Sequence, residues 1–241
     1  MQKNIFIDFS PKCDYKKWVF NGITNNKENN LDFFSKAQII EEVENVLSKI
    51  PNRLLEATIL TNWKIVVTNN RNLEEECGAP KQIYGYTNFN KKEIVVYATK
   101  EGIEISLPHE IAHFFDVLTD ISISKEWQSI YNEEKEIYLT MKNTFTTPKY
   151  KSECFADAFM YYIIYKESLR KNTPKTYATI DNVFKYINYI LDDDCIEKYN
   201  KKQLKQDKEM FDKLTEISCF SEYNWNWPSK QNKILHIIYV H

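Results

Sequence analysis

Two of the chain's four histidines, His109 and His113, stand four residues apart in SLPHEIAHFFD, residues 106–116, with Glu110 between them. On an α-helix, residues i and i+4 lie one turn apart on one face, so both imidazoles can turn a nitrogen to the same ion. Glu110 projects about 100° away from His109. That offset is too large for a third ligand but brings a carboxylate within reach of a water held beside the ion. The arrangement suits a hydrolytic zinc centre. Such a zinc keeps three protein ligands and one water, lowers the water's pKa to roughly 7, and leaves a nearby carboxylate to collect the proton. Helices also produce the five-residue pattern by accident, so a third ligand on another element has to decide.

KSECFADAF, residues 151–159, offers Glu153 at the start of an apolar helical stretch in which Phe155, Ala156, Phe159 and Met160 bury one face. An acid on the inner side of such a helix is costly unless it is paired or metal-bound. Glu153 thus completes a His, His, Glu site for one Zn2+ per chain. Asp116 follows His113 by three residues and shares its face, and Asp157 lies one turn after Glu153. Either suits a hydrogen bond to the far nitrogen of a ligating imidazole. The plain alternative for each is an ordinary surface or helix-N-terminal acid.

These residues need elements to hold them. DFFSKAQIIEEVENVLSKI, residues 32–50, has apolar residues at helical spacing and stops at Pro51, and a short helix is predicted over RLLEATI. WKIVVT at 63–68 and KEIVVYA at 92–98 are strand-like runs of branched residues. Between them, residues 69–90 read as a loop broken by Gly78, Pro80 and Gly85. Consecutive helices are expected over 105–118, 124–142, 152–167, 174–191 and 197–217, with Pro174 in a first turn and Thr173 as its cap. Pro108 fits only a first turn, which predicts that the histidine helix begins near Ser106 or Leu107, with His109 at its positive end. The fold class is α+β, predominantly helical with a small mixed β-sheet beside the metal-binding helix.

Composition narrows the partners. Thirty-two basic against thirty-four acidic residues give a net charge of -2, so no chain-wide field draws nucleic acid or an anionic membrane. Hydrophobic residues at 43% and charged residues at 27% are those of a globular domain. Sixteen Tyr against four Gly suggest a rigid fold with few tight backbone turns. No apolar run spans a bilayer. The start, MQKNIFIDFSPKCDYKK, has an apolar patch too short for a signal-peptide core. The chain is read as cytoplasmic as written, or as secreted if a leader has been removed. Five scattered cysteines without a C-x-x-C pair argue against a disulfide framework or a thiolate zinc site. Trp225 and Trp227, in a strap-like C-terminal stretch, read as packing residues on one face of a strand.

The order VLSKIPNRLLEA, WKIVVT, YGYTNFNKKEIVVYA, LPHEIAHFFD, SISKEWQSIYNEEKE and ECFADAF resembles the catalytic domain shared by anthrax lethal factor and the bacterial Pro-Pro endopeptidases, over about residues 36–190. The acid at Asp116, the step from His113 to Glu153 and the ECFADAF helix carry the resemblance beyond the generic H-E-x-x-H. It implies a zincin-like gluzincin peptidase with zinc on His109, His113 and Glu153, and Glu110 as general base and acid. It favours secretion. It also implies an oxyanion-steadying tyrosine about seven residues before the ligand glutamate. There the chain departs: that position holds Thr146, and the role falls to Tyr150 if the loop around Pro148 is shifted.

The domain expectation is an N-terminal extension over 1–35, a catalytic domain over 36–193, and a C-terminal helix and strap over 194–241 packing on the same domain. The function read is a zinc endopeptidase acting on a protein or peptide substrate. KEIVVYA is expected to form the cleft edge to which an extended peptide adds, with Tyr84, Tyr86, Asn88 and Asn90 near it. Two other readings stay open: a repressor-cleaving regulatory metalloprotease, and a non-catalytic protein-binding scaffold descended from such an enzyme.

Overall fold

A computed structural model describes residues 5–7, 36–68, 83–141 and 151–220. Contacts divide the chain into two compact units, Met1–Glu197 and Lys198–His241. The first holds a mixed four-stranded sheet of β1 (Ile5–Ile7), β2 (Lys64–Thr68), β3 (Gly85–Asn88) and β4 (Glu93–Tyr97), in the order β1-β2-β4-β3. β2 and β4 are parallel, while β1 and β3 run antiparallel to their neighbours. The helices of this unit are α1 (Lys36–Leu47), α2 (Asn52–Leu60), α3 (Leu107–Thr119), α4 (Lys125–Met141), α5 (Lys151–Ile164), α6 (Lys166–Asn172), α7 (Pro174–Lys185) and α8 (Ile187–Ile190). A last helix, α9 (Asp193–Phe220), runs on into the second unit. The α+β class with a small mixed sheet is therefore present. No helix among the described residues is long and apolar enough to cross a membrane.

The sheet has two distinct faces because side chains alternate along a strand. Ile65, Val67, Ile94 and Val96 form one face, all fully buried, and the register pairs Ile65 with Ile94 and Val67 with Val96. Opposite Ile94 and Val96 on β3 stand Thr87 and Gly85, whose face turns to α3. On the other face Val66 and Val95 pack with Ile83, Tyr86 and Tyr97.

Two expectations about the strands change. Residues 69–90, read as a loop, contain β3. β4 is paired on both sides and offers no free edge, so the outer strand beside α3, among the described residues, is β3 and not KEIVVYA.

The chain manages its turns with few glycines. The left-handed positions among the described residues are Asn62, Lys92 and Asp120, with φ of 60°, 54° and 54°. Asn62 and Lys92 each lie just before a strand, and Asp120 ends α3, where its N–H returns to the Asp116 carbonyl. One glycine is sterically required: a Cβ at Gly102 would lie 2.0 Å from the Tyr97 carbonyl oxygen. Gly102 thus lets the end of β4 press against the next element.

That element is a π-helical segment, Glu101–Ser106, running straight into α3. Pro108 explains it. A proline ring collides with the carbonyl four residues back and supplies no N–H, and a widened i to i−5 turn relieves that crowding. The Leu107 N–H accordingly reaches the Gly102 carbonyl. Thr99 Oγ1 accepts the Gly102 N–H at 3.2 Å and closes the start of the segment. The α-helix begins at Leu107 as expected, but the turn before it is helical too, so His109 does not stand at an open N-terminus and the dipole argument for its neutrality does not apply.

Further along, the helix expected over 174–191 breaks into α7 and α8. Pro174 occupies its first turn. Thr173 does not cap with its side chain; its hydroxyl donates to the Leu169 carbonyl at 3.1 Å. The buried carboxylate of Glu134, from α4, instead accepts the N–H groups of Lys175 and Thr176 at 3.0 and 2.8 Å. Cys154 is buried, and the Cys195 thiol donates to the Leu118 carbonyl at 3.4 Å.

Candidate metal centre

α3 and α5 pack face to face through aromatic rings. Phe115 stacks on Phe155 at a centroid distance of 6.1 Å, and Trp127 of α4 meets Phe155 edge-on at 5.2 Å. All three rings are buried. The Trp127 indole N–H also donates to the Lys151 carbonyl at 3.1 Å, which pins the first turn of α5. Buried contacts of this kind fix the register between the two helices, and that register sets Glu153 opposite His109 and His113.

The three side chains converge. His109 Nε2 and His113 Nε2 are 3.1 Å apart. Glu153 Oε2 lies 3.3 Å from His109 Nε2, and Glu153 Oε1 lies 3.4 Å from His113 Nε2. For ligands held tetrahedrally at zinc-to-nitrogen lengths of 2.0–2.1 Å, ligand-to-ligand separations come to about 3.3–3.4 Å. Each imidazole has a different Glu153 oxygen at about that distance, one ligand atom from each of the three residues lies within 4.8 Å of the others, and the residues form a potential metal-binding group. Two imidazoles and one carboxylate are a donor set that a divalent metal such as zinc accepts.

Asp157 backs this group. Its Oδ1 lies 2.9 Å from His109 Nδ1, and its side chain is almost wholly buried. The hydrogen bond holds the proton on Nδ1 and leaves Nε2 for an ion. Asp116 goes elsewhere: its Oδ1 accepts the Ser122 N–H at 2.7 Å and ties off the 3-10 turn after α3. Of the two acids expected behind the imidazoles, the structure brings Asp157 to one and Asp116 to a backbone turn. Tyr150, Trp225 and Trp227 lie outside the described residues.

Burial and hydrogen bonding act in opposite directions on His109 and on Glu153. Burial alone would push the His109 imidazole down, but hydrogen bonds to Asp157 and Glu153, aided by the charge of Glu110, outweigh it and raise the group to about 10. Burial likewise pushes the Glu153 carboxyl up, yet its bonds to His109 and His113 hold it well below the usual carboxylate range. A metal bound at His109 Nε2 would therefore compete with a proton there.

Glu110 completes the arrangement. It is buried, at 7% exposure, and its Oε2 accepts a 2.7 Å hydrogen bond from the Thr87 hydroxyl of β3. Thr87 Oγ1 also lies 3.2 Å from the Glu110 carbonyl. Glu110 Oε1 has no hydrogen-bond partner among the described residues. Sequence reasoning missed Thr87, because β3 itself was read as loop. The alternation Tyr84, Tyr86 around Gly85 and Thr87 was the available signal.

Against this geometry, the family model for anthrax toxin lethal factor, N- and C-terminal domain, matches residues 28–183, well over half of the chain. The chain belongs to the anthrax toxin lethal factor family. A comparison with curated proteins gives no significant match. The match to the lethal factor family spans β2 to β4, α3 and α5, and hence every residue of the His, His, Glu group together with Glu110, Thr87 and Asp157.

Proposed function

We propose that the chain is a zinc-dependent endopeptidase of zincin-like fold, with His109, His113 and Glu153 holding the metal and Glu110 acting as general base. The catalytic unit is assigned to residues 36–193, with 1–35 and 194–241 as extensions. The observation that carries the reading is the convergence of two imidazole nitrogens and the two oxygens of one carboxylate beside a buried carboxylate with one oxygen unpartnered among the described residues. Membership of the lethal factor family supports it.

Zinc, when bound there, supplies a Lewis acid that lowers the pKa of water and polarises a carbonyl. His109 and His113 meet it as neutral imidazoles, with the His109 Nδ1 proton retained by Asp157. Glu110 Oε1 takes a proton from the attacking water as the new C–O bond forms, and returns it to the leaving nitrogen so that the peptide C–N bond then breaks. Tyr150 is assigned to the oxyanion.

The peptide would lie along β3. Tyr97 N–H bonds the Tyr84 carbonyl at 2.7 Å, which makes 84 and 97 a hydrogen-bonded pair in this antiparallel register. Such pairs alternate along a ladder. Gly85 and Thr87 then turn their N–H and C=O groups away from β4, as an added peptide strand requires.

The test is cleavage of a random peptide library by the zinc-loaded chain and by its Glu110→Gln variant at equal zinc content, read by mass spectrometry. The wild type should cut and the variant should be slower by about 10²–10⁴-fold. Equal cutting by both would overturn the assignment of Glu110, and no cutting by the wild type would overturn the peptidase reading.

A further inference from the structure

The contact between Thr87 and Glu110 links two parts of the site that catalysis must coordinate. We propose that Thr87 is the positioning residue for the general base: its hydroxyl holds Glu110 Oε2, so that Oε1 is presented to the metal side. The inference rests on the endopeptidase reading for the role of Glu110, and on the geometry of β3 for the role of Thr87.

Three observations support it. The first is the bond itself, 2.7 Å from hydroxyl to carboxylate, of the short charge-assisted kind. The second concerns rigidity. Thr87 is β-branched and sits in a paired strand opposite Ile94, where its rotamer is restricted, so the hydroxyl is aimed by the sheet and not by a flexible loop. On its own helix Glu110 has no side-chain hydrogen-bond partner among the described residues, and without Thr87 its carboxylate would be buried with neither oxygen bonded among them. A buried charge left in that state seeks another rotamer or another donor.

The third observation is the register. Thr87 sits at an outward-facing position of the ladder, deduced from the 84 and 97 pair. Its backbone N–H and C=O therefore point to the strand edge while its side chain points to Glu110. One residue faces the place of the peptide and the base at once. Occupation of the edge by a peptide strand stiffens the segment from which the hydroxyl is hung.

The experiment uses the full-length zinc-loaded chain and acetohydroxamate, a small chelator that binds zinc through two oxygens and offers a hydrogen bond to the neighbouring carboxylate. Its affinity is measured by titration in the wild type, Thr87→Val, Thr87→Ser, Glu110→Gln and the Thr87→Val/Glu110→Gln double variant, with zinc content checked in each. Positioning predicts that Thr87→Val weakens binding about tenfold with Glu110 present. It predicts no further loss once Glu110 is Gln, and affinity within about threefold of wild type for Thr87→Ser. Zinc content should be unchanged throughout. An equal effect of Thr87→Val in both backgrounds, or none in either, would overturn the proposal, as would failure of the zinc-loaded wild type to bind acetohydroxamate.

Peptide cleavage then separates the two levels of inference. For any peptide the wild type cuts, Thr87→Val should lower kcat more than it raises KM, with rescue by Thr87→Ser. A coupled hydroxamate response in a chain that cuts no peptide would retain Thr87 as the positioning residue and overturn the peptidase reading alone.

Discussion

Replacing Asp157 with alanine removes the carboxylate that stands 2.9 Å behind His109 Nδ1, and its consequence for zinc has two opposing parts. Losing the bond frees the ring and weakens the ligand, which for such partners lowers metal affinity by about 10–100-fold, or about 1.4–2.7 kcal/mol. Losing the charge also lowers the raised His109 pKa, whose causes include Asp157, and so reduces the proton's competition with the metal. In the wild type that competition is severe: with His109 raised to about 10, each pH unit below that value weakens zinc binding by up to about tenfold. At pH 6 the two effects of Asp157→Ala partly cancel. At pH 9 the proton competes with the wild type by only about tenfold, and most of the ligand weakening is visible. The ratio of wild-type to Asp157→Ala affinity should therefore rise from pH 6 to pH 9, as measured with chelator-buffered zinc at several pH values. A ratio that stays flat, or equal affinities at pH 9, would refute the coupling of Asp157 through His109.

The metal-free protein should show the same pair as a stability profile. His109 is raised from 6.5, so its contribution is complete below that pH and is lost as pH climbs through about 10; Glu153 is lowered from 4.5, so its contribution is present above that pH and lost on acidification. Urea unfolding of chelator-treated protein should accordingly find the His109 and Glu153 pair most stabilising between pH 4.5 and 6.5, and the His109→Ala variant should lose the decline seen toward pH 10. A wild-type profile that rises steadily to pH 10, unlike that variant's, would contradict it. Gly102→Ala should destabilise the fold by about 3 kcal/mol, because the new methyl meets the Tyr97 carbonyl at 2.0 Å. Relief by shifting the π segment would move α3, so zinc affinity should fall with stability. A chemical denaturation midpoint equal to wild type would show that the packing there is looser than described.

Much of the centre was legible because helix geometry makes it local. His109, Glu110 and His113 are fixed relative to one another by a single helical turn, and Asp157 follows Glu153 by the same step, so their spacing in the chain carries their spacing in the fold. Glu153 was readable as an acid set among phenylalanines. Thr87 was not. It meets Glu110 across 23 positions of chain, and β3 is a four-residue strand containing a glycine, held by its pairing to β4 rather than by its own propensity. Asp116 shows the limit of face-sharing arguments: it lies on the expected side of α3, yet the nearby Ser122 N–H is the donor that claims it. The π segment follows from Pro108 and Gly102 together, and only the close approach to Tyr97 makes the second of these visible. At α7, a cap assigned by adjacency to Thr173 comes instead from Glu134, 41 residues earlier than Lys175.

The most direct test of the central claim is the zinc content of the purified chain beside its His113→Ala and Glu153→Ala variants. The account predicts one zinc per wild-type chain, held at micromolar protein, and loss of the metal in both variants while their folds persist by circular dichroism. Zinc retained in full by folded Glu153→Ala, or absent from a folded wild type supplied with the ion, would contradict the three-ligand centre and the hydrolytic role built upon it.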